Sequence, residues 1–295
     1  MTKKTWLSCL ILIAGVSLGM GAVQAQNLED KVSQYTEENA KGYLQPFADA
    51  LGAAMNSGLY HNAKISRLGF HFYLGLETMT ALITEPQKSF SAKIYSGGAS
   101  PTSIQAPTIF GSTEEVPVPG PGGTEDHFPG GMNLSMLPIA VPQLVLGSFA
   151  GTDLTLRWME FELPEDIGRL KVSGWGIRHS LSQYLLLSPL DIAIGYYSQN
   201  FKIGDIVDAQ ASLVGLQGSV SGKVFVLYGG MGLESSSLNI AYTSEANEKI
   251  AFNLKGKNKT RVTLGMGMHF SGMLLHVDYN MGSQNVVALG IGIGN

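Results

Sequence analysis

From Val262 to Phe270 every second residue is large and apolar (Val262, Leu264, Met266, Met268, Phe270), with Thr263, Gly265, Gly267 and His269 between them. After Ser271-Gly272 the alternation resumes, setting Met273, Leu275, Val277, Tyr279 and Met281 against Leu274, His276, Asp278 and Asn280. A third run beyond Gly282-Ser283 opposes Val287, Leu289, Ile291 and Ile293 to Ala288, Gly290 and Gly292. Period-two alternation broken by two-residue turns specifies antiparallel hairpins and excludes helices. One face is oily and the other small, polar or ionisable. Gly265, on the wet face, is expected to accept serine.

Alternation alone does not say which face points outward. A soluble barrel buries its oily face, whereas an outer-membrane barrel turns it to lipid. Charged residues are 14% of this chain, against roughly 25% in soluble domains, too few to cover a soluble barrel's exterior. The expectation is an all-β fold, a transmembrane antiparallel up-and-down β-barrel of about 12 strands, within about 10–14, with a short N-terminal helical segment.

The N-terminus points the same way. Lys3 and Lys4 precede an apolar stretch from Trp6 to Val16, and small residues lead to Val23-Gln24-Ala25. These are the parts of a secretory signal peptide, with cleavage expected after Ala25. Residues 1–25 are the leader, 26–62 the helical segment and 63–295 the barrel. Cys9, the only cysteine, lies in the leader, so the mature chain has neither disulfides nor thiol chemistry. Loss of Lys3 and Lys4 leaves 17 Lys+Arg against 23 Asp+Glu, a formal charge of −6 that excludes nucleic acid as a partner. The outer membrane is the expected location, with its lipids and the barrel-assembly machinery as partners.

Leu28, Val32, Tyr35, Tyr43, Leu44, Phe47 and Leu51 recur at helical spacing in 26–62. Asn27 is an expected N-cap and Gly58 an expected stop, and Pro46 should kink or divide the helix near Gln45. Two placements stay open: against the periplasmic end of the barrel, or as a plug in the lumen. The first strand is expected over Arg67 to Glu77, with Leu68, Phe70, Phe72 and Leu74 on the lipid side. Its wet face, Gly69, Tyr73 and Gly75, leaves room. Lys88 to Tyr95 is expected as a second wall strand.

The pattern then fails. Residues 97–142 hold eight of the twelve prolines and eight glycines, which rules out transmembrane strand. Counting strands puts this segment on the barrel's N-terminal, periplasmic side. Its apolar residues, Phe110, Phe128, Met132 and Leu134 among them, suggest a plug folded into the lumen. Replacing Pro101 to Pro138 with a short linker should then open a channel.

No metal or cofactor motif has usable spacing. His71, Tyr73, Glu77, Arg157, His269, His276 and Asp278 are the lumen-facing candidates. His179-Ser180 and Ser235-Ser236-Ser237 are the nearest material to a nucleophile–base pair, but no nucleophile elbow surrounds either, and the chain is expected not to be an enzyme. A Ser or Asp within hydrogen-bond reach of His179 at the wall would support one.

The stretches Gly42-Tyr43-Leu44-Gln45-Pro46-Phe47, Leu68-Gly69-Phe70-His71-Phe72 and Tyr228-Gly229-Gly230-Met231-Gly232-Leu233-Glu234 resemble a family of bacterial outer-membrane barrels, as does Ser188-Pro189-Leu190-Asp191-Ile192-Ala193-Ile194-Gly195-Tyr196. More remotely, the layout is similar to the long-chain fatty-acid transporters. That family's Asn-Pro-Ala-Gly signature and C-terminal aromatic are absent, so no binding residue carries over. The function expected of the chain is a plugged channel or transporter for a small solute, hydrophobic solutes included. The alternatives are a non-transporting structural or surface-binding barrel and, third, a lipid-modifying enzyme.

Overall fold

The computed structural model describes residues 37–94, 101–119, 125–163, 169–185, 189–243 and 249–294. The chain opens with helix α1 (Glu37–Met55), then β1 (His71–Leu82), β2 (Ser89–Ile94), β3 (Thr102–Pro107), β4 (Val116–Pro119) and β5 (Glu125–Phe128). From there it runs through β6 (Met136–Phe149), β7 (Thr152–Glu162), β8 (Arg169–Ser180), β9 (Asp191–Ile203) and β10 (Val207–Ser221). The last elements are β11 (Phe225–Thr243), β12 (Lys249–Lys255), β13 (Thr260–Phe270), β14 (Met273–Met281) and β15 (Val286–Gly294).

Ten strands close into a ring: β1, β6, β7, β8, β9, β10, β11, β13, β14 and β15, each antiparallel to its neighbours. β15 returns to β1 with Tyr73 opposite Gly294 and Ala81 opposite Val286. Closure gives every ring strand a partner on both sides, the condition hydrocarbon imposes on a sheet; the pairing is incomplete only along part of the β6–β7 seam. β12 stands outside the ring, paired to the end of β11 from Ser237 to Thr243, where β13 has ended.

The expected face assignment holds. Phe70, Leu74, Leu264, Met266, Phe270, Leu275, Leu289 and Ile293 are exposed on the outside, while Glu77, Thr263, His276, Asp278 and Ala288 are buried inside. Charged outward residues gather at the rim where β1 ends, here called the cap rim: Arg169 bonds Glu160 at 3.2 Å and Lys202 bonds Asp208 at 2.8 Å. At the opposite, terminal rim, where β1 starts and β15 stops, Phe70, Phe149, Phe225 and Phe270 are exposed.

The ring has ten strands rather than about twelve, for identifiable reasons. Lys88 to Tyr95 does not reach the wall: β2 pairs with β3 in a separate hairpin, and Tyr95 lies outside the described residues. Leu238, Ile240 and Tyr242 start no new strand, because β10 pairs with β11 without a break from Val207 to Ser221, straight through Ser235-Ser236-Ser237. The first strand runs His71–Leu82 rather than Arg67 to Glu77.

Losing one wall strand reverses the parity. The described part of the 97–142 segment therefore lies at the cap rim, opposite the start of β1, and not beside it. Its end is wall: Met136 to Pro142 pair with Leu82 to Leu76. Pro138 and Pro142 are tolerated because β7 pairs with β6 only from Gln143 onward, so the earlier part has one bare side.

α1 enters the barrel. Ala40, Tyr43, Leu44, Ala48, Leu51, Ala53 and Ala54 are buried around its circumference. The Ala-rich second half keeps it thin where it meets the wall, and Gly52 lies directly against Ser236. The helix does not divide at Pro46. It is held on both sides of that residue, by Asn39 against the Lys93 backbone (2.9 and 2.8 Å) and by the contacts at its C-terminus described next. The expected N-cap, Asn27, lies outside the described residues. Gly58, the expected stop, has φ +63°, a conformation glycine adopts without a Cβ clash.

Candidate functional site

The centre of the molecule is the passage of residues 53–63 through the bore. A helix leaves its last four carbonyls without intrahelical donors, and they carry the negative end of its dipole. All four are met here. Gly52 O accepts from Asn56 N (3.4 Å), and Ala54 O from Ser57 N (3.0 Å). Ala53 O accepts from Arg261 Nη2 (2.7 Å) and Ser57 Oγ (2.8 Å), and Met55 O from Arg157 Nη1 (3.2 Å). Beyond the helix, Arg157 Nη2 donates to Ser57 O (2.9 Å) and Gly58 O (2.6 Å), and Arg261 Nη1 to Asn56 O (2.9 Å). Arg178 Nη1 reaches Asn62 O at 2.6 Å. Three wall arginines, on β7, β8 and β13, thus grip one stretch of backbone.

Two of the guanidinium groups are ion-paired from the wall, and the third reaches a carboxylate through a glutamine. Arg261 bonds Glu234 at 2.9 Å, and Asn258 also donates to that carboxylate. Arg178 is paired bidentately with Asp153, the Nε contact being 2.9 Å. Arg157 donates through Nε to Gln143 (2.8 Å), whose amide faces Glu77 at 3.4 Å. Glu77 also accepts from Tyr73 (2.8 Å) and lies 3.2 Å from His276. Tyr228 links His276 (3.2 Å) to Asp278 (3.1 Å), and Asn280 joins Asp278 to Arg261. His61, from the threaded segment, sits among these rings, 4.7 Å from Tyr73 and 5.3 Å from His276. Buried charges are stable in low dielectric only with this degree of pairing.

All seven lumen candidates are on the inner face. Tyr73, Glu77, Arg157, His276 and Asp278 are buried in one network, whereas His71 and His269 lie near the terminal rim, with His71 3.8 Å from Asp153. Among the described residues no group of three or more His, Cys, Asp or Glu is arranged to hold a metal. The residues not anticipated are Arg178, Arg261, Asp153, Glu234, Gln143, Tyr60 and His61. Period two did carry a signal for Arg178 and Arg261, which alternate with outward Ile177 and Val262.

The plug candidates have a different place. Phe110 and Phe128 are buried, and Met132 and Leu134 pack on the same core as α1, with Phe110 6.4 Å from Phe47. Tyr43 donates to Gly130 O (3.2 Å), and Ile109 N donates to Tyr43 O. Together they form a cap over the helix, while residues 37–65 fill the bore.

A family model described as a family of unknown function, DUF6588, matches residues 1–295. The chain belongs to that family. No curated protein matches this DUF6588 chain. Solved structures similar to it include OmpT, an outer membrane protein of Vibrio cholerae, at 11% identity and TM-score 0.28, covering 77% of this chain and 99% of that one. The translocator domain of autotransporter NalP from Neisseria meningitidis gives 12% identity, 89% and 98% coverage and TM-score 0.29. Ail of Yersinia pestis gives 10%, 77%, 100% and 0.25. At such scores the barrel assignment rests on the strand pairing above. No link to fatty-acid transporters is shown.

On the outer wall of the DUF6588 barrel, His179 and Ser180 part company: Ser180 is buried inside and His179 faces out. His179 Nδ1 lies 2.8 Å from Thr152 Oγ1 and Nε2 2.9 Å from Tyr184 OH, so its hydroxyl neighbours are threonine and tyrosine. Ser235 contacts Ser212 at 2.9 Å.

Proposed function

We propose that this protein is an outer-membrane barrel closed by its own chain, a non-conducting anchor or surface protein rather than an open channel. The observation that carries this is the arginine grip on residues 53–62. A removable stopper needs a weak contact with the wall. Here expulsion would break the hydrogen bonds of three guanidinium groups to six backbone carbonyls, each charge-assisted bond contributing about 1.5–3 kcal/mol. The exposed apolar exterior and its charge-bearing cap rim support the membrane location, with a leader removed after Ala25 and surrounding lipid as the partner. Thr152, His179 and Tyr184 are read as polar contacts at headgroup level.

The test is conductance in planar bilayers. The intact protein is expected to give no steady current. A variant lacking residues 37–65, verified as folded by heat-modifiable gel mobility, is expected to conduct. A steady open current from the intact protein would overturn the closed reading and restore solute passage.

A further inference from the structure

The lumen segment has a direction. Asn39 is tied to Lys93 in the cap, at the rim where β1 ends. Met55 to Gly58 lie at the level of Arg157, midway along β7. Asn62 bonds Arg178 and Ala63 N donates to Ser219 Oγ, both close to the terminal rim. Gly151 N, in the tight turn from β6 to β7, then donates to Arg67 O, and β1 starts back toward the cap. The chain therefore traverses the whole bore before building the wall.

The two rims also differ. At the terminal rim the connections are the short turns Ala150-Gly151, 222–224 and Ser271-Gly272 and the link 181–190. The cap rim has short turns at 204–206 and 282–285, but it alone carries the 53-residue excursion from Ile83 to Ser135 and the β11–β12 extension. Barrels of this class carry short turns on the periplasmic side and long loops outside. The outward charges Glu160, Arg169, Lys171 and Lys202 lie at the cap rim as well.

We propose that this barrel is a self-threaded anchor: its N-terminal segment crosses the outer membrane inside the bore, so the cap and the Glu37 end of α1 face the cell exterior while β15 ends in the periplasm. The arginine grip then joins the Glu37 end of α1 and the cap to the membrane-spanning wall. This rests on the outer-membrane assignment above; of the two placements open for the N-terminal segment it takes the lumen, and it turns outward the Pro/Gly-rich segment that strand counting puts on the periplasmic side.

Single cysteines test it, since Cys9 in the leader is the only native one. Glu38→Cys and Glu115→Cys are exposed at the cap rim, and Ser271→Cys is exposed at the terminal rim. Intact cells are treated with a polymer-linked maleimide too large for porins, and labelling is read as a gel shift. The two cap-rim variants are expected to shift on intact cells, and Ser271→Cys only after the membrane is opened. Labelling of Ser271→Cys on intact cells, or of neither cap-rim variant, overturns the threading. Absence of all three from the heat-modifiable outer-membrane fraction instead overturns the membrane assignment.

Discussion

Arg261 does two things at once: it neutralises Glu234 and donates to Ala53 and Asn56 carbonyls. Arg261→Met removes a cation whose partner stays buried, a change that costs about 3–5 kcal/mol. The expected outcome is a lower urea midpoint for loss of the heat-modifiable band. Adding Glu234→Leu should recover part of the loss, because the uncompensated charge is gone while the two carbonyls stay short of donors. A single variant within about 0.5 kcal/mol of wild type would show that the grip is not what holds the segment. Arg157 was legible as a lumen residue because it sits between Leu156 and Trp158 in clean alternation. Arg261 escaped because it precedes the first apolar residue of its run, where strand limits are read least well. No sequence pattern signals that a helix end needs donors from a strand two hundred residues away.

At the scale of the element, the wet face of the strands is packed rather than roomy. Gly75 and Gly292 lie under Tyr73, Gly176 under Tyr197, Gly265 under Tyr228 and Gly290 under His276. Each glycine makes space for a large inward side chain on its own or a neighbouring strand, so small residues in the alternation mark filled volume. That corrects the expectation that Gly265 accepts serine: a Cβ there would meet the Tyr228 ring. Gly265→Val should destabilise the barrel by about 1–3 kcal/mol through overpacking. Next to it, Leu264→Arg should cost about 2–4 kcal/mol by placing a cation in lipid, and Leu264→Ala should be mild. Folding yield into lipid vesicles checks all three; full tolerance of Gly265→Val would mean that Tyr228 has room to move. The face of every strand was readable because burial there depends on parity alone. What fills the bore was not, since Gly, Tyr and Arg pair across strands that the sequence does not put in register.

For the whole molecule, one misplaced strand decided the topology. Ser89–Ile94 alternates too weakly to be distinguished from wall, and treating it as wall sends the Pro/Gly-rich segment to the wrong rim. Once β2 pairs with β3 instead, the division of labour follows: residues 37–65 occlude the bore and the cap covers the helix. Replacement of Pro101 to Pro138 is therefore not a clean test, since Met136 to Pro138 pair with Leu82 to Thr80 in the ring. Replacing only 102–131 with a Gly/Ser linker spares the wall and removes Ile109, Phe110, Val118 and Phe128 from the core around α1. Uncovering Tyr43, Leu44 and Phe47 returns apolar area to water at about 25 cal/mol per Å², so the helix start should loosen and become sensitive to protease. The bore should stay shut, because the grip of Arg157, Arg178 and Arg261 begins at Ala53, deeper than the cap reaches. Planar-bilayer current should remain at the level of the intact protein, while proteolysis shortens the chain near Glu37. A clear rise in current with the ring still heat-modifiable would transfer the stopper's role from the threaded segment to the cap.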